Sequence, residues 1–299
     1  MIYSLIVLTA GFFVLVKGAD WFVDGASSLA SIFHVSQLVI GLTICAMGTS
    51  LPEAGLKGNS GITIGNVVGS NILNILIVLG MSALITKIKI EKSTLFIEIP
   101  YMLLSSLVLL VMGKSQQVVS FQEGLILIGM FIVYLLYLFW LSQKESEEEV
   151  SPQYSFIGCV LLIGLGIFFV MIGSQLVVKA ATQIAYWFHF SQRFIGLTIV
   201  AFGTSLPELV TSLQAARKDH VGIAIGNIVG SNIFNILFIA GGVSLICPVP
   251  FESKFIVDMF VAIGSGCLLW LLTIYRHELN RIGGLLMLLS YVVYLIYLC

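Results

Sequence analysis

The sequence predicts an all-α polytopic membrane protein with ten transmembrane helices, arranged as two inverted repeats of five helices. Three observations predict this fold. The 299 residues are 59% hydrophobic and only 10% charged, with a mean hydropathy of +1.07, whereas a soluble domain carries about 25% charged residues. The apolar residues form long unbroken runs, which favours helices over the alternating pattern of a membrane barrel. The third observation is an internal duplication.

Composition also excludes several classes of protein. The net charge is −1, so the chain lacks the basic excess of a nucleic-acid-binding protein, and no obligatory protein partner is implied. The five cysteines form no CxxC pair and no zinc-ligand spacing, so we interpret them as small apolar side chains of the helices. A chain with so few charged residues requires membrane lipid around it.

Ten apolar runs are bounded by charged residues or by Pro, Gly and Asn. The predicted spans are 2–23, 37–56, 61–85, 95–113, 122–141, 155–178, 192–216, 222–246, 255–275 and 281–298.

The duplication is visible in two pairs of segments. Residues 37–53 and 192–208 share 13 of 17 positions, and residues 61–80 and 222–241 share 14 of 20. We divide the chain into a first five-helix repeat (1–142), a cytoplasmic linker (143–153) and a second repeat (154–299). An odd number of spans per repeat inserts the second repeat upside down, a common plan of secondary transporters.

The Lys and Arg residues indicate the orientation. Nine of the 14 fall on the side of the loops that follow spans 1, 3, 5, 7 and 9, and the side richer in basic residues faces the cytoplasm. We therefore expect a multi-pass protein of the cell (inner) membrane with both termini outside the cytoplasm. The acidic linker is interpreted as a solvated loop, because eleven residues cannot fold a regulatory domain.

Two carboxylates lie well inside apolar spans, namely Glu53 and Glu208. Most other charged residues, including Glu98, fall at span ends, where we expect them to reach the membrane surface. A charge at mid-bilayer costs at least ~2.5–3.5 kcal/mol on insertion scales and marks a functional site by default.

The same motif, GTSLPE, surrounds both glutamates. Its hydroxyls precede the carboxylate by three and four residues and share its helical face, and its proline frees a backbone carbonyl four residues earlier, which is Gly48 or Gly203. Carboxylate, hydroxyl and carbonyl oxygens are the ligands that calcium and sodium prefer. The hydroxyl residues are Thr49, Ser50, Thr204 and Ser205.

The following span in each half carries a second polar stripe at a spacing of four residues. The stripes are Asn66, Ser70 and Asn74 in the first half and Asn227, Ser231 and Asn235 in the second. Hydrogen bonds between helices would explain such a stripe as well as ion binding does, particularly for Asn66 and Asn227 and for the neighbouring Asn71 and Asn232.

The paired motifs GTSLPE with GNVVGSN, and GTSLPE with GNIVGSN, resemble the two alpha-repeats of the sodium/calcium exchanger branch of the cation/calcium exchanger superfamily. The resemblance covers essentially the whole chain. It implies that Glu53 and Glu208 bind calcium, that the four hydroxyls of GTSLPE supply oxygens, and that Ser70 and Ser231 bind sodium. It also implies carbonyl ligands at Ala46 and Ala201. Relatives carry Asp in the region of Asn74 and Asn235, and Asn in both places does not favour potassium dependence.

We therefore expect a secondary antiporter that exchanges sodium for calcium by alternating access and normally exports calcium, with no cofactor. The alternative on the same fold is a cation/proton exchanger or an exchanger of another divalent cation. An intramembrane hydrolase based on Ser50 or Ser205 would need a histidine or lysine base at mid-span, and the sequence has none there. A passive channel fits two symmetric carboxylate sites less well than an alternating-access transporter does.

One departure concerns the segment after Glu53. The offset between the repeats is 155 residues at Glu53 and Glu208 but 161 at Gly65 and Gly226, so the first half lacks six residues, ~9 Å of helix. We expect either a shortened half-helix or omitted residues between positions 53 and 58.

Overall fold

The structure, a computed structural model, describes residues 1–50, 60–144, 152–190, 199 and 201–298. Within these residues, eight helices are long and apolar enough to cross a membrane. In chain order the helices are α1 (Ile2–Phe33), α2 (Gln37–Thr49), α3 (60–85), α4 (Thr94–Gln116), α5 (Phe121–Lys144), α6 (Phe156–Trp187), α7 (Ala201–Thr204), α8 (Leu206–Arg217), α9 (Val221–Ile246), α10 (Phe255–Thr273) and α11 (Arg281–Leu298).

The second and seventh predicted spans differ most from the structure. Helix α2 is too short to cross a membrane, and the seventh span is described only as the short helices α7 and α8. The remaining parts of both spans, including Glu53 and the six-residue offset after it, lie outside the described residues.

Helices α1 and α6 are about ten residues longer than the sequence suggests. Each has 32 residues, or about 48 Å of helix, and they pack along each other through glycines. An added Cβ at Gly173 would lie 2.5 Å from the Leu15 nitrogen, and one at Gly166 would lie 2.7 Å from the Phe22 Cα. Because no side chain separates the two backbones at these points, the helices approach as closely as small residues allow.

Four of the helices described above contain a π-helical segment. The segments are Gly41–Cys45 in α2, Asn74–Leu79 in α3, Thr94–Glu98 in α4 and Asn235–Ala240 in α9. Two of them begin at equivalent positions of the duplicated sequence, Asn74 and Asn235. Such segments are frequent at functional sites because they redirect side chains and loosen the helical hydrogen bonding.

Two short β-ribbons connect loops of the two halves. Strand β1 (Ile88–Lys89) pairs antiparallel with β4 (Glu278–Leu279), and β2 (Val118–Val119) pairs antiparallel with β3 (Val249–Pro250). The first ribbon places the ends of α3 and α10 side by side, and the second does the same for α4 and α9. Neither ribbon joins two strands of the same half.

Burial distinguishes the centre of the bundle from its rim. In α9, 94% of the apolar window is buried inside the protein, against 17% in α11. Large apolar side chains such as Phe13, Leu136 and Ile296 are 64–71% exposed. An exposed apolar surface of this kind suits contact with lipid. Because α9 is almost entirely buried, it lies at the centre of the bundle.

Candidate ion-binding site

The serine of the GTSLPE motif ends a helix in both halves. Ser50, which ends α2, has φ −87° and ψ 4°, and Ser205, which separates α7 from α8, has φ −92° and ψ 5°. This sparsely populated conformation is common among active-site residues. In the second half the interruption precedes Pro207, which cannot donate the backbone hydrogen bond that would continue the helix. The two serines thus sit at equivalent breaks.

Glu208 lies in the first turn of α8, immediately after the break. Its side chain is fully buried, and Ser50 Oγ donates a hydrogen bond of 2.9 Å to Glu208 Oε1. The other oxygen, Oε2, has no hydrogen-bond partner among the described residues. A buried carboxylate with one unpartnered oxygen is costly unless a cation or a proton binds it, so this arrangement is suited to binding one or the other.

The remaining hydroxyls of the two motifs also connect the halves. Ser70 Oγ lies 3.4 Å from Thr204 Oγ1, and Thr49 Oγ1 donates to Asn227 Oδ1 at 3.1 Å. Ser205 is 3% exposed, and its Oγ has no partner in the described part of the chain. The hydroxyls therefore line one buried region between the halves rather than two separate sites.

Backbone carbonyls contribute differently from what the proline argument suggests. The Gly203 carbonyl, which Pro207 cannot engage, accepts a hydrogen bond of 3.0 Å from Ser174 of α6. The Ala46 carbonyl instead accepts from Ser231 Oγ of the opposite half at 3.3 Å. The geometry therefore favours Ala46 over a freed glycine carbonyl as an oxygen turned toward the centre. Ala201 begins α7.

The asparagines of the second stripe are buried at the crossing of α3 and α9. Asn74 and Asn235 are 0% exposed, and each side-chain Oδ1 lacks a hydrogen-bond partner among the described residues. Each lies one helical turn beyond its serine, Ser70 or Ser231, and so shares its face. These amide oxygens add uncharged oxygen ligands to the hydroxyls and the carboxylate.

The structure thus brings most of the predicted site residues together. They are Thr49, Ser50, Ser70, Asn74, Thr204, Ser205, Glu208, Ser231, Asn235 and the Ala46 carbonyl.

The prediction that Glu98 reaches the membrane surface is wrong. Its side chain is 0% exposed and accepts a hydrogen bond from the Tyr137 hydroxyl. The rings of Tyr101 and Tyr134 stack beside it, 5.6 Å apart, and all of these residues line one small cavity. The tyrosines of α4 and α5 therefore enclose this carboxylate. Its position near the start of a predicted span had suggested that it would be solvated.

Three further polar residues of the site were missed. Thr211 and Ser212 are fully buried on α8, and Ser212 Oγ accepts from Asn227 Nδ2 at 3.0 Å. They follow Glu208 by three and four residues, so helical spacing alone could have placed them on its face. Ser174 carries no comparable signal, because it is a single hydroxyl in an apolar helix.

Comparison with known proteins identifies the family of the chain. The sequence profile described as "Sodium/calcium exchanger protein" matches residues 3–140 and 159–299. The sodium/calcium exchanger MaX1 of Methanosarcina acetivorans is 31% identical over 99% of this chain and 98% of its own. An uncharacterized membrane protein of Methanocaldococcus jannaschii is 37% identical over 97% of each chain.

A solved structure has the same fold. The sodium-calcium exchanger NCX_Mj, soaked with zero Na⁺ and Ca²⁺, superimposes with a TM-score of 0.86 at 36% identity and covers 99% of each chain. The family profile, the relatives and the shared fold agree, and the chain therefore belongs to the sodium/calcium exchanger protein family.

Proposed function

We propose that this protein is an antiporter that exchanges sodium for calcium by alternating access, and that it normally exports calcium. The single observation that carries the proposal is Glu208. It is buried, it is held by Ser50 of the other half, and one of its oxygens has no partner in the described structure. Membership of an ion-exchanger family rather than an enzyme family supports a transporter.

The residues fall into two groups of ligands. Glu53 and Glu208 bind calcium with the hydroxyls of Thr49, Ser50, Thr204 and Ser205 and the carbonyls of Ala46 and Ala201. Ser70 and Ser231, with the amides of Asn74 and Asn235, bind sodium. Hydroxyl, amide, carbonyl and carboxylate oxygens suit both hard cations, and the cross-half contacts of these side chains support one shared centre.

The charge of the site accounts for competition between the ions. Two ionised carboxylates carry −2, and one calcium ion neutralises them. Asn74 and Asn235 add no charge. If more than two sodium ions replace one calcium ion, each cycle moves net charge, and the rate responds to the membrane potential.

The same proposal extends to the architecture. Ten spans form two inverted repeats, residues 1–142 and 154–299, joined by the cytoplasmic linker 143–153. Two features support this division: the family profile matches in two stretches on either side of the linker, and each β-ribbon pairs a strand of one half with a strand of the other. Both termini face away from the cytoplasm in the cell (inner) membrane, and α1 and α6 slide along the core during the cycle.

The test is calcium uptake into vesicles that contain the purified protein. We expect uptake of labelled calcium when sodium is high inside and low outside, and none when sodium is equal on both sides. Uptake that persists without a sodium gradient but follows a proton gradient would establish the alternative, a cation/proton exchanger. Uptake down the calcium gradient without any counter-ion would indicate a channel.

A further inference from the structure

Four asparagines lie where α3 crosses α9 at the centre of the bundle. They are Asn71 and Asn74 of α3 and Asn232 and Asn235 of α9, and none is more than 3% exposed. Asn74 and Asn235 each begin the π-helical segment of their helix. The four residues, which we call the asparagine quartet, occupy equivalent positions of the duplicated sequence.

Two members of the quartet face each other directly. Asn71 Nδ2 donates to the backbone carbonyl of Asn232 at 3.1 Å, and Asn232 Nδ2 donates to the backbone carbonyl of Asn71 at 3.3 Å. Each side chain is thus anchored to the main chain of the opposite helix. A side chain with a fixed amide nitrogen also has a fixed amide oxygen, because the group is planar.

Those fixed oxygens then bind the other two members. Asn71 Oδ1 accepts from Asn235 Nδ2 at 3.0 Å, and Asn232 Oδ1 accepts from Asn74 Nδ2 at 3.2 Å. The bonds cross from one half to the other in both cases. These bonds hold the amide nitrogens of Asn74 and Asn235 in place. The Oδ1 atom of each amide therefore points away from the bonded asparagine.

The Oδ1 atoms of Asn74 and Asn235 are the two ends of this network. Both are buried, and neither has a hydrogen-bond partner among the described residues. Buried amide oxygens are normally satisfied, so a symmetric pair of unsatisfied ones indicates a ligand that accepts their lone pairs. A cation does this, whereas a network that served only to hold the helices together would not need the two oxygens left over.

We infer that Asn71 and Asn232 are positioning residues of the ion site: each fixes the amide of an asparagine in the opposite half, Asn235 or Asn74, with its oxygen presented to a bound cation. This inference rests on the proposed function and adds two residues that do not themselves touch the ion. It also predicts a specific pattern of coupling, because Asn232 acts on Asn74 and Asn71 acts on Asn235.

The experiment is a double-mutant cycle on ion binding. Calcium and sodium binding to the purified protein are measured by titration calorimetry and by ion-induced thermal stabilisation for Asn74→Ala, Asn232→Ala and the double variant. We expect each single change to weaken ion binding by about ten-fold. Independent changes would together weaken it by about a hundred-fold, but because contacting residues couple, we expect the double variant to bind only about ten- to twenty-fold more weakly than wild type. The pair Asn71→Ala and Asn235→Ala should behave alike.

Asn66 provides the matched control. It lies on α3, two turns before Asn74, and within the described residues its amide nitrogen has no hydrogen-bond partner, in the quartet or elsewhere. Its substitution by Ala should combine additively with Asn74→Ala. If Asn232→Ala does not fold, Asn232→Ser replaces it in the cycle, because a small hydroxyl side chain leaves the helices room to pack.

The outcomes separate this inference from the proposed function. Additive effects for both crossed pairs, or a loss of ion-free thermal stability with unchanged ion-induced stabilisation, would overturn the positioning role and leave the exchanger proposal intact. A wild-type protein that binds ions but does not exchange them would overturn the exchanger proposal only, and the cycle would still decide the role of the quartet. A wild-type protein that binds neither ion would overturn both.

Discussion

The polar centre of the bundle and the α1–α6 pair are assembled by different kinds of contact. At the centre, side-chain hydrogen bonds run from one half of the chain to the other, as between Ser50 and Glu208 and within the asparagine quartet. The α1–α6 pair is instead held by backbone contacts at glycines such as Gly18 and Gly173. The hydrogen bonds at the centre are directional and hold its side chains in one geometry. The glycine contacts hold α1 and α6 to each other but do not prescribe how the pair is oriented on the rest of the protein.

Among the described residues, a few polar contacts join these two regions. Ser174 bonds to the Gly203 carbonyl, and Lys218 binds Asp20 and Asp24 of α1 at 2.5 and 2.6 Å. An apolar cavity of about 460 Å³ lies between the pair and the centre, with Phe12, Val178 and Leu206 among its lining residues. A pair whose two backbones are in direct contact along their length is suited to move as one body.

The largest effect is expected at the centre, from Glu208→Gln. The amide still accepts the hydrogen bond from Ser50, but the site loses one of its two negative charges, so we expect sodium-driven calcium uptake to fall by at least about a hundred-fold. Glu123→Gln is the control, because Glu123 binds Ser120 at the start of α5, away from the site. Retention of uptake in Glu208→Gln, equal to that of the control, would contradict the proposed ligand.

The next largest effect is expected in the pair, from Gly173→Ala. The new Cβ would lie 2.5 Å from the Leu15 nitrogen, and since backbone cannot swing aside as a side chain does, we expect a loss of about 1–3 kcal/mol in the free energy of unfolding. Thermal unfolding in detergent measures it. Gly164→Ala on the same helix is matched, because among the described residues no atom outside its own stretch of helix lies within 4 Å of its added Cβ. Equal stability of both variants would argue against backbone contact.

A smaller effect is expected at the junction, from Lys218→Gln. Burial lowers the pKa of Lys218, but its hydrogen bonds to Asp20 and Asp24 raise it by more, so the net pKa is raised. A raised amine pKa means that the link is present at neutral pH and is lost only as the pH rises through the folded value. Changes of pH between about 6 and 9 should therefore leave the link between Lys218 and the two aspartates in place, and within this range the substitution is needed to remove it.

Loss of this link frees α1 from the end of α8. We expect a shift of up to about five-fold in the ratio of forward to reverse exchange, equivalent to about 1 kcal/mol, as for a partly exposed ion pair. Lys17→Gln is the control, since Lys17 is 52% exposed and lies 3.7 Å from Asp20. An unchanged ratio in Lys218→Gln would show that the link does not hold the pair.

The smallest effect is expected from Glu98→Gln. The carboxylate lies outside the polar centre, and an amide oxygen still accepts the hydrogen bond from Tyr137. We expect exchange within about two-fold of wild type and a stability change of about 1 kcal/mol or less, because the bond to Tyr137 is kept. A large loss of exchange would place Glu98 in the transport mechanism and would extend the polar centre to α4.

Sequence alone was sufficient for most helices and for the family, because long apolar runs and duplicated motifs are strong signals. It set the end of α1 near residue 23 because Asp20 and Asp24 interrupt the apolar run. In the structure Lys218 neutralises both, and the helix continues to Phe33. A partner almost two hundred residues away cannot be found from local pattern.

The quartet and the enclosed Glu98 were beyond sequence reasoning for a related reason. Asn71 and Asn74 are three residues apart and equally polar, and only the position of α9 decides which is anchored to backbone and which has a free oxygen. The β-strands, of two residues each, are too short to give an alternating pattern. Tertiary contacts, not propensity, determine all three features.

The two β-ribbons have a consequence for how such a chain can be divided. Each strand has its partner in the opposite half, so either half made alone would expose two unpaired strand edges, one at each end. Unpaired edges recruit further strands. Each half thus supplies the pairing strands that the other lacks, and separately produced halves would have to combine before these edges were covered.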